Sequence, residues 1–304
     1  MKVFAPNWYP QFRCIADRCR HSCCIGWEID IDQDTLARYQ NASGQWKKRF
    51  EENIVQDDET ACFRLTEDER CPFLNERGLC DIILAFGEEA LSQICTDHPR
   101  FRSFFSDRTE MGLGMCCEEA ARIVLSEQEP AYLIEISDDG EQEAPNEEEA
   151  DFFAWRSQLF SIVQDRSLTL TERIRKLCLF CGFSYEKCAP SGWTSLLLSL
   201  ERMDETWAQK LTGMQQETDK WDIPFEQLLF YLLFRHLSGA MDDGLYSERV
   251  ALCVLLLRLI RSIPANDLEA LAEICRMASS EIEYSDENTD RLLEELETAL
   301  QQES

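Results

Sequence analysis

The chain of 304 residues is short of basic charge, histidine and glycine, and it has no long apolar run. It carries 30 basic against 58 acidic side chains, a formal net charge of −28. Such a charge repels phosphate backbones and anionic lipid and favours a cationic partner, such as a lysine-bearing protein surface. Nucleic acid is therefore not an expected partner. No stretch reaches the roughly 18–20 apolar residues that a membrane helix needs. The longest candidate, Val250 to Leu257, is interrupted by Arg258 and Arg261, so no membrane association is expected. Among the 12 glycines there is no G-x-G-x-x-G turn, which argues against a Rossmann-type cofactor loop. Only His21, His98 and His236 exist, and none has a local signature of Cys–His hydrolysis. The opening Met1-Lys-Val-Phe-Ala-Pro-Asn-Trp8 lacks the continuous apolar stretch of a secretory signal, so the expected location is cytoplasmic.

Cysteine is what the chain has in quantity. Of the 15, ten lie between Cys14 and Cys117. In a reducing cytosol a disulfide framework is not expected, and clustered thiols read first as metal ligands. The scattered Cys178, Cys181, Cys188, Cys253 and Cys275 read instead as core. Cys178-x-x-Cys181 sits inside Ile174-Arg-Lys-Leu-Cys-Leu-Phe-Cys, where apolar residues recur at helical spacing. The first cluster, Cys14-x4-Cys19-x3-Cys23-Cys24, puts several thiols on one loop. Adjacent Cys23 and Cys24 point in different directions, so one of them is expected at a given metal. Zinc ribbons present two C-x2-C knuckles and bacterial ferredoxins C-x2-C-x2-C. Neither occurs in the first 117 residues, and the radical C-x3-C-x2-C motif fails because Gly26 stands where its last cysteine would be. Spacing alone thus leaves iron and zinc open.

Length predicts about two domains. Up to residue 137 short pieces alternate: a strand at Trp27–Asp32, a helix from Thr35 to Tyr39 capped by Asp32 or Asp34, and a strand at Ala61–Thr66. A helix at Gly87–Cys95, another at Glu118–Leu125 and a strand at Ala131–Ile136 follow. Residues 138–150 hold many acids with Gly and Pro and no basic side chain, which predicts a solvated linker. Beyond it, apolar periodicity predicts helices over 152–163, 170–183, 193–211, 224–237, 247–263, 267–277 and 289–301. The expected fold is mainly α: a cysteine-rich α+β metal-binding domain at 1–137, an acidic linker at 138–150, and an all-helical bundle at 151–304.

One combination of motifs is specific. The order Cys14-x4-Cys19-x3-Cys23-Cys24-Ile-Gly-Trp27-x-Ile29-x-Ile31-Asp32, then Cys71-Pro-Phe-Leu74, Gly78-Leu-Cys80, Leu91-Ser-x-Ile-Cys95-x3-Pro99-Arg100 and Cys116 before Glu118, resembles flagellin lysine-N-methylases. The resemblance covers roughly residues 8 to 122. It also reaches a wider set of cysteine-rich proteins described as zinc- or iron-chelating. The chain departs from the pattern at Cys116-Cys117-Glu118, where the family has Cys-Pro-Glu.

The resemblance implies methylation of lysine side chains of flagellin from S-adenosylmethionine, with a 4Fe-4S cluster held by thiols among Cys14, Cys19, Cys23, Cys24, Cys71, Cys80, Cys95 and Cys116. Zinc is the alternative metal. Such a cluster would serve as a structural staple or as an anchor for the amino-acid end of the methyl donor. Amine methylation is an in-line displacement, so the site must orient, desolvate and deprotonate a lysine. Asp97, with Asp30 and Asp32, could orient the lysine, and Tyr39 or His98 could help remove its proton. Trp27, Asp30 and Arg100 are the candidates at the cofactor, Trp27 packing beside the cluster and Arg100 pairing with a carboxylate. Asp32 already has a capping role. The alternative is a non-catalytic zinc- or iron-binding module that docks a basic protein partner.

Overall fold

Of the segments that carry the cysteines, most fold together as an insertion between the first strand and the rest of the molecule. The computed structural model describes residues 2–57, 60–138, 140 and 144–301. The chain gathers into two units, Arg13–Phe101 and a second made of the residues up to Phe12 with those from Arg102 onward. Strand β1 (Lys2–Pro6) comes first. The inserted unit holds α1 (Gln33–Gln40), α2 (Gly44–Asn53), β2 (Ile54–Gln56), β3 (Ala61–Phe63), α3 (Asp81–Phe86) and α4 (Gln93–Asp97). Then follow β4 (Arg100–Phe104), β5 (Arg108–Leu113), α5 (Glu118–Ser126), β6 (Leu133–Asp138), α6 (Glu147–Val163), α7 (Leu170–Phe180), α8 (Pro190–Ser199) and α9 (Glu205–Thr212). The chain ends in α10 (Asp222–His236), α11 (Ala240–Asp243), α12 (Tyr246–Ser262), α13 (Leu268–Ala278) and α14 (Asp286–Gln301). The architecture is mainly helical with a small sheet.

In the larger unit a four-stranded sheet runs β4-β5-β1-β6, with β1 parallel to β5 and antiparallel to β6. The centre of the helical part is α10 against α12. Both are apolar nearly all round, and every residue from Phe225 to Phe234 and from Val250 to Ser262 is buried, the pattern of helices enclosed by other helices. Pro224 falls in the first turn of α10, where its missing N–H is no loss. Two buried carboxylates are paired. Glu110 of β5 takes a two-pronged bond from Arg156 of α6 at 2.6 and 2.7 Å. Glu226 of α10 meets Arg166 and Arg173. Pairing of this kind is what lets such charges stay inside. Among the described residues, no helix is long and apolar enough to cross a membrane.

The structure departs from the expectations in four places. Ile29–Ile31 lies extended against β3, with Ile31 N–H donating to Ala61 O and Phe63 N–H to Ile29 O. That contact amounts to a single bridge between Asp30 and Cys62, not a full strand. The helix expected over 87–95 is split. Gly87, at φ +88°, ends α3, and α4 starts only at Gln93. The helix expected over 193–211 breaks into α8 and α9, because the Glu281 carboxylate accepts from the Met203 and Asp204 N–H groups and holds the chain in a turn. Finally, the units divide elsewhere than at the acidic 138–150 stretch. β6, before it, pairs along β1, and α6, after it, sends Arg156 to β5, so both flanks belong to one unit. Residues 139 and 141–143 of that stretch lie outside the described residues. Glu147, Glu148 and Glu149 already belong to α6, which Asn146 caps by accepting from the Glu149 N–H.

Candidate functional site

Four thiol-bearing segments of the inserted unit meet in one apolar cluster. Cys71 N–H donates to Cys24 O at 2.8 Å, and Ile25 pairs with Arg70. Gly26 turns the chain at φ +86°, a conformation glycine adopts at no steric cost, while its N–H reaches Glu69 O. From Cys71 the chain folds back so that Leu74 bridges Cys80. Asn75 holds this turn through its side chain to the Arg77 and Leu79 N–H groups and to Asp81. Gly78 supplies the positive φ, +73°. Cys80 then precedes the first turn of α3, and Cys95 lies on α4. Asp32 fixes α4 against α1, one carboxylate oxygen accepting from Thr35 N–H at 2.9 Å and the other from Gln93 N–H at 2.8 Å. Cys71 is buried, and Cys24, Cys80 and Cys95 pack against the same core of Ile29, Tyr39, Phe50, Phe63, Phe73 and Ile82.

These four thiols lie within reach of one another's charge. Burial is the main cause of the shift at three of them. It pushes Cys71 up to about 12 and Cys95 to about 11, and it also raises Cys80. The neighbouring sulfurs add to this: Cys24 raises the pKa of Cys71, Cys80 and Cys95, and Cys80 raises those of Cys71 and Cys95. Cys24 itself goes the other way. A hydrogen bond with Cys23 outweighs burial, and Ser22 and the Arg70 charge add to it, so its thiol is held down at about 7. Sequence reasoning missed Ser22 and Arg70, which have no motif of their own, and it saw only the capping half of Asp32. The donor set, four sulfurs around an apolar wall, suits zinc or an iron–sulfur cluster. Among the described residues, however, no three Cys, His, Asp or Glu side chains stand close enough to form a ready metal cage.

The other expected ligands are not part of this core, although Cys23 touches it through its hydrogen bond with Cys24. Cys14 and Cys23 are exposed, and the Cys19 thiol donates to His21 O at 2.9 Å. Cys116 belongs to the other unit. There burial pushes its thiol up to about 11, and the thiol is hydrogen-bonded to Tyr284. Cys62 sits opposite Asp30, its thiol raised by burial and by Glu28 and Asp30.

Of the residues expected at the lysine and the cofactor, several gather near α4. The Trp27 and His98 rings lie 6.2 Å apart, tilted by 31°, and Trp27 donates its indole N–H to Cys23 O at 2.7 Å. Burial, with the Arg100 charge, lowers His98 to about 4, so its ring is neutral at neutral pH. Asp97 accepts from the Gln93 side chain at 2.8 Å, and Arg100 donates to Thr96 O at 3.1 Å. Asp30 is exposed, at its bridge to Cys62. Tyr39 is buried and stacked on Phe50 at 4.1 Å, and its hydroxyl donates to Ala90 O at 2.7 Å. Burial raises its pKa, which keeps the phenol protonated.

A lysine-N-methylase of Salmonella typhimurium strain LT2 is 24% identical over 139 residues, which is 44% of this chain and 35% of the relative. A lysine-N-methylase of Salmonella choleraesuis is also 24% identical, over 144 residues. The flagellar biosynthetic protein FliU of Salmonella muenchen is 25% identical over 139 residues, covering 82% of its length. The match thus spans about a third of the lysine-N-methylases. No family model matches the chain, and no solved structure does. The chain is similar, over 44% of its length, to the lysine-N-methylases and FliU of Salmonella, in agreement with the family its cysteine motifs resemble.

Proposed function

We propose that the chain is a cytoplasmic protein-lysine N-methyltransferase that takes a methyl group from S-adenosylmethionine to lysine side chains of flagellin, with a 4Fe-4S cluster on Cys24, Cys71, Cys80 and Cys95. The observation that carries this reading is the convergence of those four thiols on one apolar wall, in a chain similar to lysine-N-methylases. When bound, such a cluster would tie these chain segments together, and with only three of the four thiols as ligands the remaining iron would be open to the amino-acid end of the methyl donor. The chain's own residues then have separate tasks. The carboxylates of Asp97 and Asp30 orient an incoming ammonium. His98, beside Trp27, is the acceptor for the proton that the lysine must lose before its nitrogen lone pair can attack, a role that requires substrate binding to raise its pKa from about 4. Trp27 shields that step from water, which otherwise solvates the amine. Tyr39 acts as a structural donor through its bond to Ala90.

The test is anaerobic purification, followed by iron, sulfide and zinc quantification and an absorption spectrum with and without S-adenosylmethionine, with methylation of flagellin read by mass spectrometry. About four irons and four sulfides per chain, a spectrum that responds to the donor, and methylated flagellin lysines are the expected result. Zinc without sulfide, no donor binding and no methylation would overturn the reading in favour of a structural module that docks a basic partner.

A further inference from the structure

Outside the thiol cluster, a cavity of about 650 Å³ opens on α6, lined by Glu147, Glu148, Asp151, Phe152, Trp155 and Tyr246. Residues 147, 151 and 155 recur every four positions and so share one face of the helix, while Tyr246 starts α12. The Trp155 and Tyr246 rings meet edge to face, 5.2 Å between centroids at 80°, and Phe152 lies 6.2 Å from Trp155. The edge of one ring thus meets the face of the other, and both rings line the cavity. Along its edge stand three exposed carboxylates. Among the described residues, none of the three pairs with a cation or is hydrogen-bonded through its side chain. Glu147 and Glu148 occupy the first turn of α6, where acids offset the helix dipole. That accounts neither for Asp151 beyond the turn nor for the aromatic corner beside them.

We infer that this corner binds the ε-ammonium of a lysine side chain, unmodified or methylated, on a protein partner. Trp and Tyr faces attract an alkylammonium through their quadrupoles. The four-carbon stem packs along Phe152 and Trp155, and the carboxylates supply the counter-charge that an anion or a purely apolar helix would not tolerate. The net charge of −28 steers such a partner from a distance. The inference goes beyond the methylation reading, because ammonium recognition needs neither a cluster nor a methyl donor.

The test titrates the full chain, labelled at tryptophan, with Nα-acetyl-lysine amide, its ε-trimethyl form and the uncharged norleucine amide, following the Trp155 indole by NMR. Both cations shift that signal, and norleucine binds at least about tenfold more weakly. Trp155→Ala weakens both cations by about tenfold, the loss of one cation–π wall. The triple variant Glu147→Gln, Glu148→Gln and Asp151→Asn, at exposed positions that do not hold the fold, weakens the cations alone and flattens the salt dependence. Equal binding of norleucine, or unchanged affinity in the triple variant and in Trp155→Ala, overturns the inference. Flagellin methylation measured on the same samples separates the two readings. Intact methylation without cation binding removes this site only, and cation binding without methylation removes only the methylase.

Discussion

Cys24 and Cys71 are joined through their main chains, the Cys71 amide donating to the Cys24 carbonyl at 2.8 Å. Two cysteines far apart in sequence are thereby fixed side by side without any bond between their sulfurs, and the turn after Cys71 and the start of α4 bring Cys80 and Cys95 to the same wall.

Serine in place of Cys71 or Cys80 is expected to remove bound metal and lower the melting temperature of the protein. Serine in place of Cys253, buried in α12, should leave metal content unchanged. Elemental analysis of the three proteins is the check, and equal losses in all three would show that the four-thiol assignment is wrong.

His98 gives a pH dependence whose sign is fixed. Its folded pKa of about 4 lies below the unfolded value of 6.5. Its contribution to stability is therefore fully present above 6.5 and is lost as the pH falls through about 4. The loss over that window of about 2.5 pH units is on the order of 3 kcal/mol. His98→Gln should melt with a shallower acid dependence than the wild type over that window. Parallel curves for the two proteins would refute the burial of a neutral ring.

Asp32 serves two helices with one carboxylate. Burial acts to raise its pKa, but the hydrogen bonds from Gln93 and Thr35 together outweigh it and keep the group ionised below the usual carboxylate range. Asp32→Ala leaves both amides without that acceptor and should cost about 2 kcal/mol. Asp34→Ala, inside the first turn of α1, should cost far less. Urea unfolding of both variants decides.

The buried pair of Arg156 and Glu110, exposed by 4% and 1%, should respond asymmetrically. Arg156→Met takes away the guanidinium that lies among Phe152, Phe153, Phe160 and Phe234 and strands the Glu110 carboxylate, at a cost of about 3–5 kcal/mol. Adding Glu110→Gln to that variant should restore much of the loss. A double variant as unstable as the single would show that packing, not charge, sets the cost.

The helices after residue 151 are legible in the sequence because their apolar residues recur at helical spacing, with α10 and α12 apolar nearly all round, a local property. The break at Met203 is not, since the Glu281 carboxylate that holds it comes from far along the chain. Glu147, Glu148 and Glu149 read as self-repelling linker because their favourable position, the first turn behind the Asn146 cap, depends on where the helix starts. β1 and β5 carry no strong alternation and owe their existence to each other. At the thiol site, the motifs marked the right segments but not which sulfurs share a wall. Which four meet depends on the Cys24–Cys71 main-chain bond and on Asp32 reaching Gln93, and neither is written in spacing. Ser22 and Arg70, which help set the charge state of Cys24, act only once that pairing exists.

β1 lies inside the sheet, with Lys2 opposite Arg108 and Ala5 opposite Ile134. A strand made early must therefore wait for neighbours made more than a hundred residues later. At about 5–20 residues per second of synthesis, that delay is on the order of ten seconds. The inserted unit faces no such wait, because its core is drawn from residues between Cys24 and Cys95. The inserted unit is thus fully synthesised before β4, β5 and β6 have all been made, and the helices from α6 onward follow later still.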